Sequence, residues 1–352
     1  MKVLFVLHQV QAGGAEAMAR DLARGLRGAG VDSRLAAIHA SRGDVGEDGG
    51  VPVHVLGGPP TMAHAPLALL RLLVLCWRQS PDLVHSHGEV PDLLCRLVCG
   101  VLRIPLVVTA HTVNPWHWRR RLGLFLERSG VRRTRRYTAV SESIAAMLRR
   151  DIGVPPEQVE VIANWAPMMA VEPGPIPTMG RPTVIHVARL HVQKGQDILL
   201  QAFAQVRREF RDAVLWMVGA GPEEARLRGM AGEGVIFLGW RDDVPALLKR
   251  ADLFVLSSHW EGMPLTMLEA MTESVPVVAT AVDGIPEIIQ DGVCGLLVPP
   301  GEAGALADAM LSCLRDPDRA RRMGIQGANR CASLREQGLR AYLDLYHRVL
   351  AG

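Results

Sequence analysis

The stretch SSHWEGMPLTMLEAM (257–271) decides how this chain reads. It follows LFVL (253–256), a short aliphatic run, and opens into an apolar helical pattern. Pro264 stands where a first helical residue belongs, because its fixed φ suits that position and its missing N–H is not needed there. Leu265, Leu268 and the methionines then carry the helix inward. Backbone amides around Met263, Pro264 and Leu265 would sit at the positive end of that helix and face an anion. Glu261 falls in the loop before it. Glu269 falls inside the helix, flanked by Met, Leu and Ala, where an unpartnered carboxylate is costly to bury. That cost argues against a packing role. An acidic residue so placed can accept both hydroxyls of a ribose, as acidic residues do in dinucleotide folds.

The same strand-then-helix unit recurs outward in both directions. KVLFVL (2–7), LVHS (83–86), LVVTA (106–110) and YTAV (137–140) precede it, and VIHVA (184–188), VLWMV (214–218), VIFL (235–238) and VVAT (277–280) lie nearer. Aliphatic runs without alternation read as strands buried on both faces. Their alternation with helices predicts parallel sheets built from βαβ units. In the first helix Ala15, Met18, Ala19, Leu22 and Leu26 make one apolar face. Between the two series lies APMMAVEPGPIPTMGRP (166–182), with five prolines and no helical or strand period. Such a stretch is a linker. The expected fold class is therefore α/β, with two doubly wound, Rossmann-like parallel-sheet domains facing across a cleft. Residues 1–165 form the first, 166–181 the linker and 182–334 the second. A last helix, about 335–352, would complete either one. Ligands are expected at the C-terminal ends of the strands.

Bulk properties exclude several classes. The chain has 352 residues, and a net charge of +3 is too small for a nucleic-acid binder. The six cysteines (76, 95, 99, 294, 313 and 331) show neither zinc nor disulfide spacing, and Cys95 and Cys99 read as a buried helical stripe in a reducing compartment. MKVLFVLHQV is too short and polar for a signal peptide. LALLRLLVLCW (67–77) falls short of the ~20 residues that span a bilayer. A cytoplasmic protein is expected.

Further candidates sit at predicted strand ends. Gly13 and Gly14 come directly before a helix, either as a tight turn or as a backbone that lets amides approach a phosphate. His111 follows LVVTA, and would hydrogen-bond either a sugar hydroxyl or a backbone carbonyl. His85 and His87 share a strand face, but no third ligand accompanies them, so a metal site is rejected. Arg189 follows VIHVA, and Lys194 lies five residues later in a loop closed by Gly195. They are either surface charge or a clamp for a diphosphate, Arg by its fork and Lys as a point charge.

Taken together, these motifs resemble the family-4 retaining glycosyltransferases of GT-B fold (glycosyl transferases group 1). The resemblance rests on the Glu261-x7-Glu269 spacing, GGAE (13–16), TAHT (109–112), VSES (140–143), ARLHVQKG (188–195), VGAGPEEARL (218–227), VIFLGW (235–240) and TAVDGIPEIIQDGVCGLLVPPG (280–301). It spans essentially the whole chain in the family's order. One departure is VIANWAP (161–167), where the family usually has an asparagine-glycine pattern. The resemblance implies that Arg189 and Lys194 hold the diphosphate and that Glu261 stands beside the donor sugar. It implies that Met263, Pro264 and Leu265 offer backbone to sugar and phosphate, and that Glu269 binds the ribose. Gly13 and Gly14 would close over the β-phosphate, and His111 would sit near the sugar. Gly219 and Gly221 would line the nucleotide site, and Trp240 and Arg241 would hold the base through their main chain.

The expected reaction is retaining transfer from a nucleotide-diphosphate sugar, a UDP-sugar by default, to a saccharide or lipid-linked acceptor in surface polysaccharide or glycoconjugate synthesis. No cofactor and no metal are expected. Of the acidic pairs, Asp242–Asp243 are adjacent and Asp316-Pro-Asp318 lies far from the clamp. WHWRRRLGLFLERSGVRRTRRY (116–137) carries eight arginines and two tryptophans. It reads as a surface for anionic membrane, on the inner face of the cytoplasmic membrane, or as a solvated helix face. The rival functions are a sugar-nucleotide 2-epimerase and a non-catalytic sugar-nucleotide-binding partner. A nicotinamide dehydrogenase lacks its GxGxxG.

Overall fold

Thr183–Val187 and its central counterparts are buried on both faces because helices cover both sides of the sheets they build. The computed structural model describes residues 1–10, 13–39, 46–57, 65–112, 120–167, 174–175 and 181–352. It divides into two units, Met1–Pro167 with Glu336–Gly352, and Met168–Arg335.

In the first unit the elements run β1 (Lys2–Gln9), α1 (Gly13–Gly28), β2 (Asp32–His39), β3 (Glu47–Asp48), β4 (Val51–Val55), α2 (Ala65–Gln79), β5 (Leu83–His87), α3 (Glu89–Leu102), β6 (Leu106–Ala110), α4 (Arg120–Gly130), β7 (Arg136–Ala139), α5 (Glu142–Met147) and β8 (Val159–Val161). The described strands order as β3-β4-β2-β1-β5-β6-β7-β8, parallel except for the short β3. Chain order reverses between β1 and β5, and that crevice is where a doubly wound sheet receives ligands. Right-handed crossovers place α2, α3 and α4 side by side on one face, since β4→β5, β5→β6 and β6→β7 all step the same way.

The second unit runs β9 (Thr183–Val187), α6 (Gln196–Glu209), β10 (Val214–Val218), α7 (Glu224–Met230), β11 (Val235–Gly239), α8 (Val244–Leu248), β12 (Leu253–Leu256), α9 (Leu265–Thr272), β13 (Val277–Thr280), α10 (Ile285–Ile288), β14 (Leu296–Val298), α11 (Ala303–Arg315) and α12 (Pro317–Cys331). Its all-parallel order, β11-β10-β9-β12-β13-β14, is the dinucleotide-binding order with its switch point between β9 and β12. The core on one side of that sheet is Leu199, Phe203 and Val206 of α6 with Leu306 and Met310 of α11, all packed on Leu215, Met217 and Val255.

The final helix, α13 (Leu334–Ala351), packs on the first unit. Trp165 fixes it there. Its indole N–H donates to Asp21 Oδ2 of α1 at 2.7 Å, and its ring lies so close to Gly338 that a Cβ there would collide with it. All six cysteines are buried and free.

Candidate active site

Two loops meet at the β9–β12 switch point, and glycines let them. Gly195, at φ 57°, closes the 3-10 turn Val192–Lys194, and a Cβ on it would strike the Ser257 carbonyl. Gly219, at φ 127°, packs against the Ala188 carbonyl in the same manner, and Gly221 against that of Leu190. Hydrogen bonds then lace the loops. His259 N–H donates to Gln193 O at 2.8 Å, Gln193 Nε2 to Trp260 O at 2.9 Å, and Ser257 Oγ to Lys194 O at 2.9 Å.

This lacing brings Lys194 and Glu261 together. Lys194 Nζ donates to Glu261 Oε1 at 2.5 Å, and Ser258 Oγ donates to the same oxygen at 2.6 Å. Glu261 is 5% exposed, and its own N–H donates to Asp283 Oδ2 at 2.7 Å. Burial raises the Asp283 carboxyl, although the hydrogen bond it accepts from Glu261 N–H pulls it partly back. An ammonium has three donors, so Lys194 keeps two for a ligand.

Arg189 is exposed, and its side chain has no partner among the described residues. Its carbonyl accepts from Gln196 Nε2 at 2.9 Å. The same amide nitrogen lies 3.3 Å from His186 Nε2, and His186 Nδ1 lies 2.9 Å from Val255 O. Burial pushes His186 down to about 4, so a neutral imidazole braces the strand behind Arg189.

Pro264 is a correction to the sequence reading. It caps α9 with an extended backbone, φ −70° and ψ 122°, and Leu265 is the first helical residue. No side chain caps this end, so the first amides of α9 keep the unsatisfied N–H groups of any helix start. Met263, Pro264 and Leu265 are buried beside Glu261. One to two turns on, Glu269 is half-buried without a side-chain partner among the described residues, and desolvation pushes it up to about 7.

Trp240 and Arg241 follow β11. Trp240 is 70% exposed. The Arg241 side chain is committed elsewhere: it forks onto Asp243 at 2.7 and 2.6 Å and donates to Pro175 O at 3.0 Å. That fork lowers Asp243 to about 2, and Asp243 also accepts from Gly174 N–H. Arg241 therefore has only its main chain to offer a base. The other acidic pair is also employed, Asp316 capping α12 through Arg319 N–H at 2.9 Å.

In the first unit, Gly13 (φ 65°) and Gly14 open α1 at the end of β1, both exposed. His111 follows β6, and its Nε2 lies 3.0 Å from Nδ1 of His87. The sequence reading offered His111 a backbone carbonyl; its partner is a second histidine. His87 rests on His85 with ring centroids 4.2 Å apart, and His85 bonds Tyr346 OH and Thr109 Oγ1, each at 2.6 Å. Burial pushes His85 to about 3 and His111 to about 4, and lowers His87 as well. All three are therefore neutral. The Nε2 of His87 is buried without a partner, which an orphan lone pair tolerates better than an orphan N–H. That puts the His87 proton on Nδ1, donating to His111, and leaves the His111 proton on Nδ1. Neither His87 nor the tyrosines were singled out for this role. The H-x-H spacing marked the shared face, while α13 comes from far along the chain.

Of the basic segment 116–137, Trp116, His117, Trp118 and Arg119 lie outside the described residues. Leu122 and Phe125 of α4 are 51% and 67% exposed.

The chain matches two family models, "Glycosyltransferase Family 4" over residues 12–167 and "Glycosyl transferases group 1" over 181–316. It is 30% identical to the alpha-maltose-1-phosphate synthase of Mycolicibacterium smegmatis, over 86% of this chain and 91% of that protein. It is also 30% identical to the N-acetyl-alpha-D-glucosaminyl L-malate synthase of Bacillus anthracis, over 70% of this chain and 69% of that one. Among solved structures it resembles Anabaena Alr3699/HepE in complex with UDP and glucose, with a TM-score of 0.83 at 22% identity, covering 99% of this chain and 100% of that one. Sucrose-phosphate synthase from Thermosynechococcus elongatus gives 0.82, also at 22%, over 99% of each chain. These likenesses make the fold GT-B.

Proposed function

The chain belongs to glycosyltransferase family 4, an enzyme family that transfers sugars from nucleotide sugars, and from that premise we propose a retaining, metal-independent transferase that uses a UDP-sugar and a saccharide or lipid-linked acceptor. One observation carries the donor half. Lys194 is paired with the buried Glu261 in the loop before an uncapped helix start, and two candidates on the same elements, the cation Arg189 after β9 and the acid Glu269 of α9, have side chains without partners among the described residues. An unpaired cation and an unpaired carboxyl, with an uncapped helix start on the same sheet edge, suit a ligand that carries phosphates at one end and ribose hydroxyls at the other.

In the proposed reaction the bond from the sugar's anomeric carbon to the phosphate oxygen breaks. Arg189, Lys194 and the α9 amides stabilise the charge that develops on the departing diphosphate. The acceptor oxygen bonds to the anomeric carbon on the same face, and its proton passes to the released phosphate oxygen. Glu261 holds Lys194 in place and meets the sugar. His111, its Nδ1–H set by His87, donates to a sugar hydroxyl, and Gly13 and Gly14 approach the β-phosphate. Gly219 and Gly221 line the nucleotide, with Trp240 and Arg241 offering main chain to the base. A thermal-shift screen of nucleotide sugars followed by turnover with and without EDTA tests this. Stabilisation by a UDP-sugar and EDTA-resistant turnover are expected. Turnover restored only by a divalent ion would refute metal independence, and no stabilisation by any nucleotide sugar would refute the donor site.

A second reading, peripheral docking on the anionic inner face of the cytoplasmic membrane, gains support from the α2–α3–α4 face. Leu67, Leu70, Val74 and Trp77 of α2, Leu97 and Val101 of α3, and Leu122 and Phe125 of α4 are all exposed. Arg78, Arg103, Arg121, Arg132 and Arg133 are exposed on and beside these helices. In contrast, α2 has no acid, α3 has acids only in its first turn, and the one acid of α4, Glu127, is buried against Arg96. Apolar side chains among arginines suit anionic headgroups. No described helix is long and apolar enough to cross a membrane.

A further inference from the structure

Among the described residues, four that are not glycine have a positive φ: Ser80, Arg103, Ser274 and Asp283. The first three follow the C-terminal ends of α2, α3 and α9, where a left-handed residue is an ordinary way to end a helix. Asp283, at φ 45°, follows no helix. It lies between β13 and α10, in the turn Val282–Ile285 that the Ile285 N–H closes onto Val282 O at 3.0 Å. Gly284, next in that turn, has φ −80°. A positive φ at the first central residue and a negative one at the second is the sign pattern of a type II′ turn, which favours glycine at the first. Here the order is reversed. The residue with a side chain takes the strained place, and glycine takes a place open to any residue. Backbone strain of this kind persists where the surroundings hold it, and it points to a use.

The loop after β12 shows that use. β12 lies between β9 and β13 in the sheet, so the loop at its C-terminal end is held from both sides. Gln193 and Lys194 hold it from the β9 side. From the β13 side, Thr280 Oγ1 donates to Ser258 O at 2.7 Å, and Asp283 Oδ2 accepts from Glu261 N–H at 2.7 Å. Asp283 thus spends its side chain 22 residues back, on the main chain of the residue that pairs with Lys194, rather than on its own turn. We propose that Asp283 is a positioning residue for the transfer: it fixes the main chain of Glu261, and through the Glu261 carboxylate it fixes the ammonium of Lys194 that meets the departing diphosphate. This rests on the transferase reading above and deepens it. The role needs an acceptor oxygen on a residue that tolerates a left-handed backbone. Asparagine meets both conditions. Glycine relieves the strain but leaves the Glu261 N–H without this partner.

The test compares the full-length wild type with Asp283→Gly and Asp283→Asn. It measures UDP released from UDP-glucose without acceptor, UDP affinity by calorimetry, thermal melts, and amide hydrogen exchange across 257–264. Asp283→Gly should lower kcat by at least roughly tenfold while UDP affinity stays within about twofold, because the hydrogen bond orients the loop and touches no part of the nucleotide. Its Tm should stay within a few degrees, the relieved strain offsetting the freer unfolded chain. The Glu261 amide, protected in the wild type, should exchange faster. Asp283→Asn should bring kcat back to within about threefold of the wild type and protect that amide again. Wild-type turnover in Asp283→Gly, a loss in Asp283→Asn as deep as in Asp283→Gly, or UDP affinity and Tm falling in step with kcat overturns the proposal. A wild type that neither binds UDP nor releases it from UDP-glucose, while its Glu261 amide keeps a protection that Asp283→Gly removes, would instead remove the transferase reading beneath it.

Discussion

Glu269→Gln separates what this residue costs the fold from what it gives a ligand. Burial on α9 pushes its carboxyl from an ordinary 4.5 up to about 7, and no hydrogen-bond partner among the described residues compensates. A folded-state pKa above the unfolded one means that the folded chain holds a proton the unfolded chain has released. The contribution to stability is complete below about pH 4.5 and is lost as pH rises through about 7. Roughly 2.5 pH units at about 1.4 kcal/mol each make that loss about 3 kcal/mol by pH 8. Glutamine has the same shape and no charge to desolvate. The variant should therefore unfold roughly 6–10 °C higher than the wild type at pH 8 and almost together with it at pH 5. Ligand binding should run the other way. Ribose hydroxyls donate to a carboxylate, and the ionised fraction rises from about 0.1 at pH 6 to about 0.9 at pH 8, so apparent UDP-glucose affinity should rise about tenfold. The phosphates of UDP-glucose do not titrate in this range. Isothermal titration calorimetry at pH 6, 7 and 8 should give a rising affinity for the wild type. Glu269→Gln should give a flat affinity, weaker at pH 8 by roughly tenfold or more. Parallel pH profiles in the two proteins, or a stability gain that ignores pH, would refute the reasoning.

Lys194→Ala removes one arm of the proposed clamp and should cut kcat/KM by at least roughly tenfold, about 1.4 kcal/mol of transition-state binding; unchanged steady-state kinetics would remove Lys194 from the mechanism. Gly338→Ala gains up to about 1 kcal/mol of helix propensity but drives a methyl into the Trp165 indole, so a net loss of about 1–2 kcal/mol is expected in urea melts, and a more stable variant would show that α13 does not press on that ring. Flotation with phosphatidylglycerol vesicles at low salt should carry the protein upward, and Trp77→Glu should weaken it; no flotation of the wild type would leave the α2–α3–α4 face without its proposed partner.

Most strands found in the sequence are unbroken apolar runs, whereas β2, β4 and β8 are interrupted by polar residues, alanine or proline, whether inside the sheet or near its edge. Runs such as VIHV and LFVL sit at the centre of a sheet, covered on both faces, so burial alone demands an unbroken aliphatic segment. DSRLAAIH of β2 begins with a half-buried Asp32 and carries Arg34, which pairs with that same Asp32 at 3.0 Å, and it relies on alanine for close packing. VPVHV of β4 holds a proline beside the β3 edge, and VEV of β8 is half-buried throughout at the far edge. Strands at or near an edge answer to fewer neighbours, so β4 and β8 leave weaker marks, although VIFL of β11 is legible at the edge of its sheet. The place of α13 was illegible for another reason. Its attachment rests on contacts such as Gly338 under Trp165 and Tyr346 on His85, which are far apart in sequence and which no local pattern encodes.

The same distinction runs through the candidate site. Lys194 and Glu261 were legible because each follows a buried strand at the switch point, and topology alone brings the ends of β9 and β12 together. What stayed hidden is how each candidate is held. Arg241 reads as a cation near a nucleotide, yet its fork is consumed by Asp243 two residues on. His111 reads as a lone loop histidine, yet its protonation is set by His87, which rests on His85, which bonds Tyr346 from the last helix. Those partners are chosen by side-chain geometry across the fold, and the residue types involved are ordinary in isolation. One consequence follows for the chemistry. If His87 sets the tautomer of His111, the end of the chain has a hand in the site through Tyr346, although that tyrosine never needs to meet a substrate.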